Sequence, residues 1–457
     1  MKGKRSYSAV DVEKFDAAVL LPQLTMGCIV AIDVAKTRFV AAVATAAGEV
    51  VKLIKFEHPR QTGSFLQMLR VLGEGGQKPS VVMEPTGTYG DALRHQCHQQ
   101  GLSVHMMPPK HTHDFAEVLD GVPSMHDAKA AVVLAKLQAI KPARAWLPES
   151  EERRDLRAWV DQRRPISCTL ALYHGHLEGM LARHWPEAEL HLDVYRQRSW
   201  MTLMKAYPGP EAVAADGEAA KALLRKASRG RLAPGCLEAL VASAEGTKGV
   251  PMTHGEQEKL RAVVEQIDAQ SQRLTAVDRK LAELVESDEV LTRMATVVGP
   301  ACAATIGALV GSPLAFANAR AFEKGMGLNL KEKSSGNVKG KLALTKRGPG
   351  AVRHLLYLAA LRLLKDPSMI SLTWYRARQS HKAGQSIKAV VAVMRKLARA
   401  LWHVGRGASF DPRKLFDARR LLLNVVNADA TRTLIASPRA AAEARAGATC
   451  QGGAALS

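Results

Sequence analysis

Aromatic residues make up only 5% of this 457-residue chain. That scarcity argues against a platform of exposed rings for stacking bases, and for helix-rich packing on Leu, Ala and Val. None of the six cysteines (Cys28, Cys97, Cys168, Cys236, Cys302, Cys450) belongs to a C-x-x-C pair. Their scatter excludes a zinc ribbon and a disulfide framework, and fits reduced thiols in a cytosol. The opening stretch "MKGKRSYSAVDVEKF" lacks the apolar centre of a signal peptide, and nowhere do about 18 apolar residues run uninterrupted. No membrane span is predicted, and a cytoplasmic, nucleoid-associated protein is expected. No P-loop sequence occurs, so chemistry driven by nucleotide hydrolysis lacks its phosphate cradle.

Acids are outnumbered too. Against 43 Asp and Glu stand 64 Lys and Arg, a formal charge of +21. Such an excess makes a polyanion the default partner, because each cation that neutralises a phosphate releases a counterion. The chain is too long for one ordinary core, and 47% hydrophobic with 23% charged residues describes a folded protein of several domains.

What is present begins with three strand-like runs. "CIVAID" (28–33), "RFVAAVAT" (38–45) and "EVVKLIKF" (49–56) are joined by tight connections and predict an antiparallel meander. A helical stretch from Gln61 to Leu72 follows, then the strand "SVVME" (80–84), a helix from Tyr89, the strand "SVHMM" (103–107) and two more helices. The order β-β-β-α-β-α-β-α is that of the ribonuclease-H-like fold, an α/β mixed sheet. In that order Asp33 closes the first strand and Glu84 the fourth, and the two strand ends are neighbours. Paired carboxylates there suit Mg²⁺ (or Mn²⁺), which takes hard oxygen ligands. Singly, each acid reads as well as a solvated strand end or a helix cap. Asp127, where "PSMHDAKAAVVLAKL" (123–137) turns helical, is a third candidate. Alone it too reads as a helix-terminal acid, stabilising by about 1 kcal/mol.

Three blocks, "AIDVAK" with Asp33, "MEPTGTYGDAL" with Glu84 and "PSMHDAKAAVVLAKL" with Asp127, together resemble the N-terminal half of the 110 family of bacterial insertion-sequence transposases, relatives of the Piv-type invertases. The resemblance implies a RuvC-like domain with a D-E-D-D acidic tetrad and a C-terminal domain that supplies a nucleophilic serine. It also implies kinship with recombinases guided by a bridge RNA. One departure stands out. The family's last acidic block reads K-T-D-x-x-D-A; here Asp127 takes the first acidic position and Ala130 the second, while Met125 and His126 replace Lys and Thr. Position 130 lies one helical turn from Asp127, on the metal-facing side. Either three acids suffice, which is the preferred reading, or Asp120 or His126 fills in, or metal chemistry is impaired.

From Glu149 the pattern turns helical, with one long helix over 151–185 expected to be interrupted near Pro165. Residues 207–255, rich in Gly, Pro and Ala, suggest a small helical insertion. Leu260, Ile267, Leu274 and Leu281 then recur every seven residues, with Val264, Val277 and Leu284 on the same face. This heptad stripe predicts a coiled coil, the alternative being a helix packed on its own domain. In the resembling family the region is a self-associating arm, which implies a homo-oligomer, dimer or tetramer. The H-x-H pairs His111/His113 and His174/His176 have no matching Cys or His cluster and read as surface or phosphate-facing residues.

Near the C-terminus, "MATVVGPACAATIGALVG" (294–311) resembles the family's helix-hairpin-helix-like element, with Gly299 and Gly307 kept. A basic loop follows, "KEKSSGNVKGKLALTKRG" (331–348). Lys331, Lys333, Lys339, Lys341, Lys346 and Arg347 surround Ser334 and Ser335 there. A serine hydroxyl attacks only when a base or nearby cations favour its ionisation, and these cations equally describe a passive phosphate clamp. The resemblance, covering about 291–405, implies that Ser335 before Gly336 is the nucleophile and that Ser334 is the alternative. Leu330 stands where the family's G-L-x-P carries proline.

The expected organisation is an extension over 1–25, a RuvC-like domain over 26–148, a helical and coiled-coil region with an insertion over 149–290, a transposase domain with the catalytic serine over 291–410, and a tail over 411–457, disordered at its end. The expected activity is Mg-dependent recombination of double-stranded DNA, at element ends and target, through a phosphoserine link. Two rivals remain: a RuvC-like nuclease using water, and a nucleic-acid-binding relative disabled at position 130.

Overall fold

Alternation of side chains along three consecutive strands builds the first layer. Strands β1 (Val10–Asp11), β2 (Cys28–Asp33), β3 (Arg38–Thr45), β4 (Val50–Glu57), β5 (Ser80–Met83), β6 (Ser103–Met106) and β7 (Arg144–Ala145) form one sheet in the order β1-β4-β3-β2-β5-β6-β7. Strands β2, β3 and β4 run antiparallel as the meander requires; β5 and β6 then add parallel to β2. The computed structural model describes residues 8–415 except 25, 75–77, 86, 123–124, 193, 195–196, 234, 336–337, 367–371, 373–374 and 377–385. The tail expected to be disordered beyond Ser437 lies outside the described residues. Two units result, Met1–Glu149 and Ser150–Ser457.

In the first unit both faces of the sheet are buried. Val30, Ile32, Phe39, Ala41, Val43, Ile54 and Phe56 pack one face against α1 (Thr62–Gly73) and α2 (Asp91–Gln99). Phe56 stacks on Phe65 with ring centroids 4.0 Å apart, an arrangement that adds about 0.5–1.5 kcal/mol beyond simple burial. The other face presents small residues, Ala31, Ala42 and Ala44, to Ala131 and Ala135 of α4 (Asp127–Ile140), which follows α3 (Pro109–Asp120). Small side chains on both partners let that helix lie close to the strands that end in acids. Two features had no signal in the pattern. The segment read as an extension contributes β1, parallel to β4, and buries Val12, Ala17, Leu20 and Leu24; the two-residue β7 pairs with β6. Strands that short are set by their neighbours rather than by periodicity.

The second unit is built on two long helices, α5 (Glu151–His184) and α11 (His254–Glu286). Leu156 and Val160 of α5 meet Val277, Leu281 and Val285 of α11. At the other end Leu177 and Leu181 meet Leu260, Val263 and Val264, so the pair is antiparallel. The bidentate Arg163–Asp278 bridge, with Nε to Oδ1 at 2.6 Å, fixes its register. This corrects two expectations. The helix runs through Pro165 without a break. The heptad stripe is filled by the chain's own α5 and the helices around it, with Leu274 and Leu284 left half-buried; among the described residues it is a face packed on its own unit. The insertion between the long helices is α-helical: α6 (Ala188–His191), α7 (Arg198–Ala206), α8 (Pro210–Ala215), α9 (Gly217–Ser228) and α10 (Cys236–Glu245). It closes around Trp185 and Trp200, ring centroids 5.4 Å apart and both fully buried.

Beyond α11 come α12 (Glu289–Val298), α13 (Pro300–Leu309), α14 (Ala319–Gly325), the antiparallel pair β8 (Leu330–Ser335) and β9 (Val338–Leu344), α15 (Gly350–Lys365) and α16 (Ser386–Gly405). Gly299, at φ 84°, makes the turn from α12 into α13, a left-handed backbone that other residues resist. Met294, Ile306, Phe322, Leu356, Leu397 and Leu401 share one core. The basic loop is therefore a two-stranded hairpin, a correction to the expectation of an irregular segment: Lys331 and Lys333 alternate with Leu330 and Glu332 across from Leu342 and Leu344. No helix among the described residues is long and apolar enough to cross a membrane.

Candidate active site

Asp33 is the last residue of β2, paired with Val40 of β3 on one side. On the other side β5 runs parallel, with Ile32 opposite Met83, which brings Glu84 to the same level of the sheet. Asp127 opens α4, the helix lying against β2 and β3. The three acids named from sequence thus meet at one end of the sheet. Their charges interact: burial first, then the charge of Asp127, then that of Glu84, push the Asp33 carboxyl up to about 6. Asp33 and Glu84 are half-buried and Asp127 is exposed.

Three carboxylates, two of which raise the Asp33 value through their charge, are the hard oxygen donors that Mg²⁺ or Mn²⁺ takes. In chemistry the residues fit the ion. In geometry they are not drawn into a cage: among the described residues no group of three or more His, Cys, Asp or Glu stands ready to hold a metal.

Position 130 is filled by a half-buried alanine whose N–H donates to the His126 carbonyl at 2.9 Å. Of the two residues considered as substitutes for the fourth acid, the Asp120 side chain lies outside the described residues. His126 is the N-cap of α4, and its Nδ1 accepts the Lys129 N–H at 3.2 Å. One ring nitrogen is thereby committed to the helix end, in the position where the family's threonine would cap. Sequence reasoning missed Lys129. It is 2% exposed, and its Nζ donates to the Val122 carbonyl at 2.6 Å, tying the approach to α4 onto the helix that carries Asp127. The signal was available, since a lysine stood inside the apolar run of a buried helix face.

In the second unit the hairpin carries the serines. Ser335 ends β8 opposite Val338, and Gly336-Asn337, between them, lie outside the described residues, as do the side chains of Ser334, Ser335, Lys333, Lys339 and Lys341. The backbone register puts Lys333 directly opposite Lys341. Lys331, Lys346 and Arg347 are exposed.

The base of the hairpin is tightly clipped, and none of the clips was foreseen. Thr345 Oγ1 donates to Asn329 Oδ1 at 2.5 Å, and Arg353 Nη1 donates to the Gly348 and Met326 carbonyls at 2.7 and 3.3 Å. A Cβ at Gly348 would fall 2.6 Å from both the Gly325 carbonyl oxygen and the Gly327 nitrogen, so only glycine fits. Below these, Glu323 is 2% exposed and binds two guanidinium groups, Arg395 at 2.7 Å and Arg399. Arg395 also donates to the Leu328 carbonyl at 2.9 Å, which fixes the strand that leads into β8. A buried carboxylate costs several kcal/mol to desolvate unless it is paired in this way. The sequence did carry a trace of Glu323, the only acid between Glu289 and Glu332.

Two family models match the chain. One, described as a transposase of the DEDD IS110 type, spans residues 30–186 and covers all three acids. The other, described as a transposase of the IS116/IS110/IS902 family, spans residues 289–373 and covers the hairpin. No curated protein matches the chain significantly.

Proposed function

Because the chain belongs to the IS110 family of transposases and so acts in DNA recombination, we propose that it cuts and rejoins DNA strands through a covalent link to Ser335, with Asp33, Glu84 and Asp127 holding the metal that assists. The observation that carries this reading is the charge coupling of the three acids at one sheet end. The basic residues that both strands of the hairpin contribute around Ser335 support an anion there. The strand order β4-β3-β2-β5-β6 supports a ribonuclease-H-like, RuvC-like first domain.

Asp33, Glu84 and Asp127 would hold the divalent ion, which when bound polarises the scissile phosphate as a Lewis acid. The Ser335 hydroxyl oxygen forms a bond to the phosphorus while the P–O bond to a deoxyribose hydroxyl breaks, and that hydroxyl leaves with the proton the serine gives up. Lys331, Lys333, Lys339 and Lys341 stabilise the charge on the phosphoryl oxygens; Lys346 and Arg347 orient the flanking backbone. A strand hydroxyl then attacks the same phosphorus and expels Ser335, which recovers a proton. Each step exchanges one phosphoester for another, so no nucleotide need be hydrolysed. A bridge RNA as guide, and a dimer or tetramer as the working species, complete the proposal.

A second reading, binding without chemistry, is favoured by Ala130 and by the lack of a preformed three-ligand group among the described residues. The experiment separating them incubates the protein with Mg²⁺, element-end junction DNA and RNA transcribed from the element flanks. The product sought is a denaturant-resistant protein–DNA adduct, in wild type, Ser335→Ala and Ser334→Ala. Loss of the adduct in Ser335→Ala alone is expected. Cleavage with no adduct would mean hydrolysis by water, and binding with neither product would mean a disabled enzyme.

A further inference from the structure

Between the two matched spans, 30–186 and 289–373, lies the helical insertion, and its exposed end is basic. In α9 and the turn after it, Arg225, Lys226, Arg229 and Arg231 fall within seven residues, with no acid from 219 to 237. All four are exposed, and none enters an ion pair among the described residues. The flanking acids in sequence are Glu218, bonded to Lys221 at 2.8 Å and also under the charge of Arg225, and Glu238, which with Arg225 and Ser228 lines a shallow cavity of about 310 Å³.

The bland explanation is helix capping, since cations in a last turn complement the helix dipole. It accounts for Arg225 and Lys226. It does not account for Arg231, outside the helix, nor for Arg229. Arg229 is the residue after the helix end and has φ 53° and ψ 40°, the left-handed conformation in which glycine or asparagine is the rule. Its N–H bonds back to the Lys226 carbonyl at 3.2 Å, and the next residue's N–H bonds to the Arg225 carbonyl at 3.2 Å, so the turn is rigid. A strained position thus keeps a long cation, in a turn tied by backbone bonds, within a run of four exposed cations that form no ion pair among the described residues.

We infer that this turn grips the phosphate backbone of duplex DNA outside the reacting site, anchoring the substrate without reading its sequence. The inference rests on the DNA-recombinase reading above. Duplex DNA is the commitment because the matched family acts on DNA and because guanidinium groups suit phosphate oxygens.

The test measures equilibrium binding of the full-length protein to a short labelled DNA duplex of arbitrary sequence, and separately to an RNA hairpin, over a range of salt. Replacing Arg225, Lys226, Arg229 and Arg231 together with glutamine is expected to weaken duplex binding by about tenfold or more and to lower the salt slope by about 2–4. Arg229→Gly, which suits the left-handed backbone, is expected to lower the slope by about 1 with no loss of melting temperature. Unchanged affinity and slope in both variants, with wild type binding DNA, would sink this inference alone. A loss confined to the RNA hairpin would also overturn it. Wild type binding neither nucleic acid would overturn the recombinase reading first.

Discussion

Asp33 shows how a residue can be poorly placed for stability and well placed for chemistry. Burial and the charges of Asp127 and Glu84 all oppose its ionisation, so the Asp33 carboxylate carries its charge at a cost to the fold. Asp33→Asn removes the charge and keeps the shape. Thermal melts in a chelating buffer at neutral pH should show the variant more stable than wild type, while adduct formation with Mg²⁺ is lost. A variant less stable than wild type would mean that the carboxylate has a stabilising partner. Asp33 and Glu84 were legible because a strand that stops at an acid is a pattern within one run of residues, and Asp127 because an acid opens a helical run. Lys129 and Glu323 left a trace in the sequence, but their roles and that of Arg353 were not legible, because carbonyls and charged groups that other segments bring set them.

Among the elements, the heptad stripe of α11 teaches the clearest lesson. Leucines every seven residues specify a seam, not whose helix fills it. Here the antiparallel α5 does, and α7 adds a further tie through Lys205 to Asp268 on α11. The hydrogen bond from Lys205, opposed by some burial, and then the Gln272 bond and the charges of Lys205 and Arg198, hold the Asp268 carboxyl below its ordinary 3.8. A lowered folded value means that the unfolded chain binds the proton more readily, so the tie stabilises above pH 3.8 and is lost as pH falls through the folded value. Asp268→Asn should therefore melt earlier than wild type at neutral pH, and the gap should close in acid below 3.8. A gap independent of pH would assign Asp268 a packing role instead. The hairpin escaped notice for a related reason. "KEKSSGNVKGK" is too charged to look like a strand, and it pairs because Glu323, Arg395 and Arg353 fix its two ends.

For the molecule as a whole, the proposed chemistry is divided: the acids belong to one unit and the serine hairpin to the other. If a working site joins the acids of one copy to the serine of another, two dead variants should rescue each other. Mixing Ser335→Ala with Asp33→Asn should restore about a quarter of wild-type adduct in a randomly assorted dimer, since half the dimers are mixed and each keeps one intact site. No recovery after subunit exchange would place acids and serine in the same copy.

The sequence by itself determined the order of the five central strands in the first unit, the three acids, the basic segment around Ser335 and the kinship that the two family models bear out. Each of these is written in short-range periodicity or in a motif of contiguous residues. Tertiary structure alone decided that the N-terminal segment joins the sheet, that α5 fills the α11 seam, that Lys129 is buried beside the acidic site and that the basic segment is a hairpin clamped at its base. Those outcomes depend on which distant groups meet, and a buried charge or a two-residue strand acquires its meaning only from the partner that folding supplies.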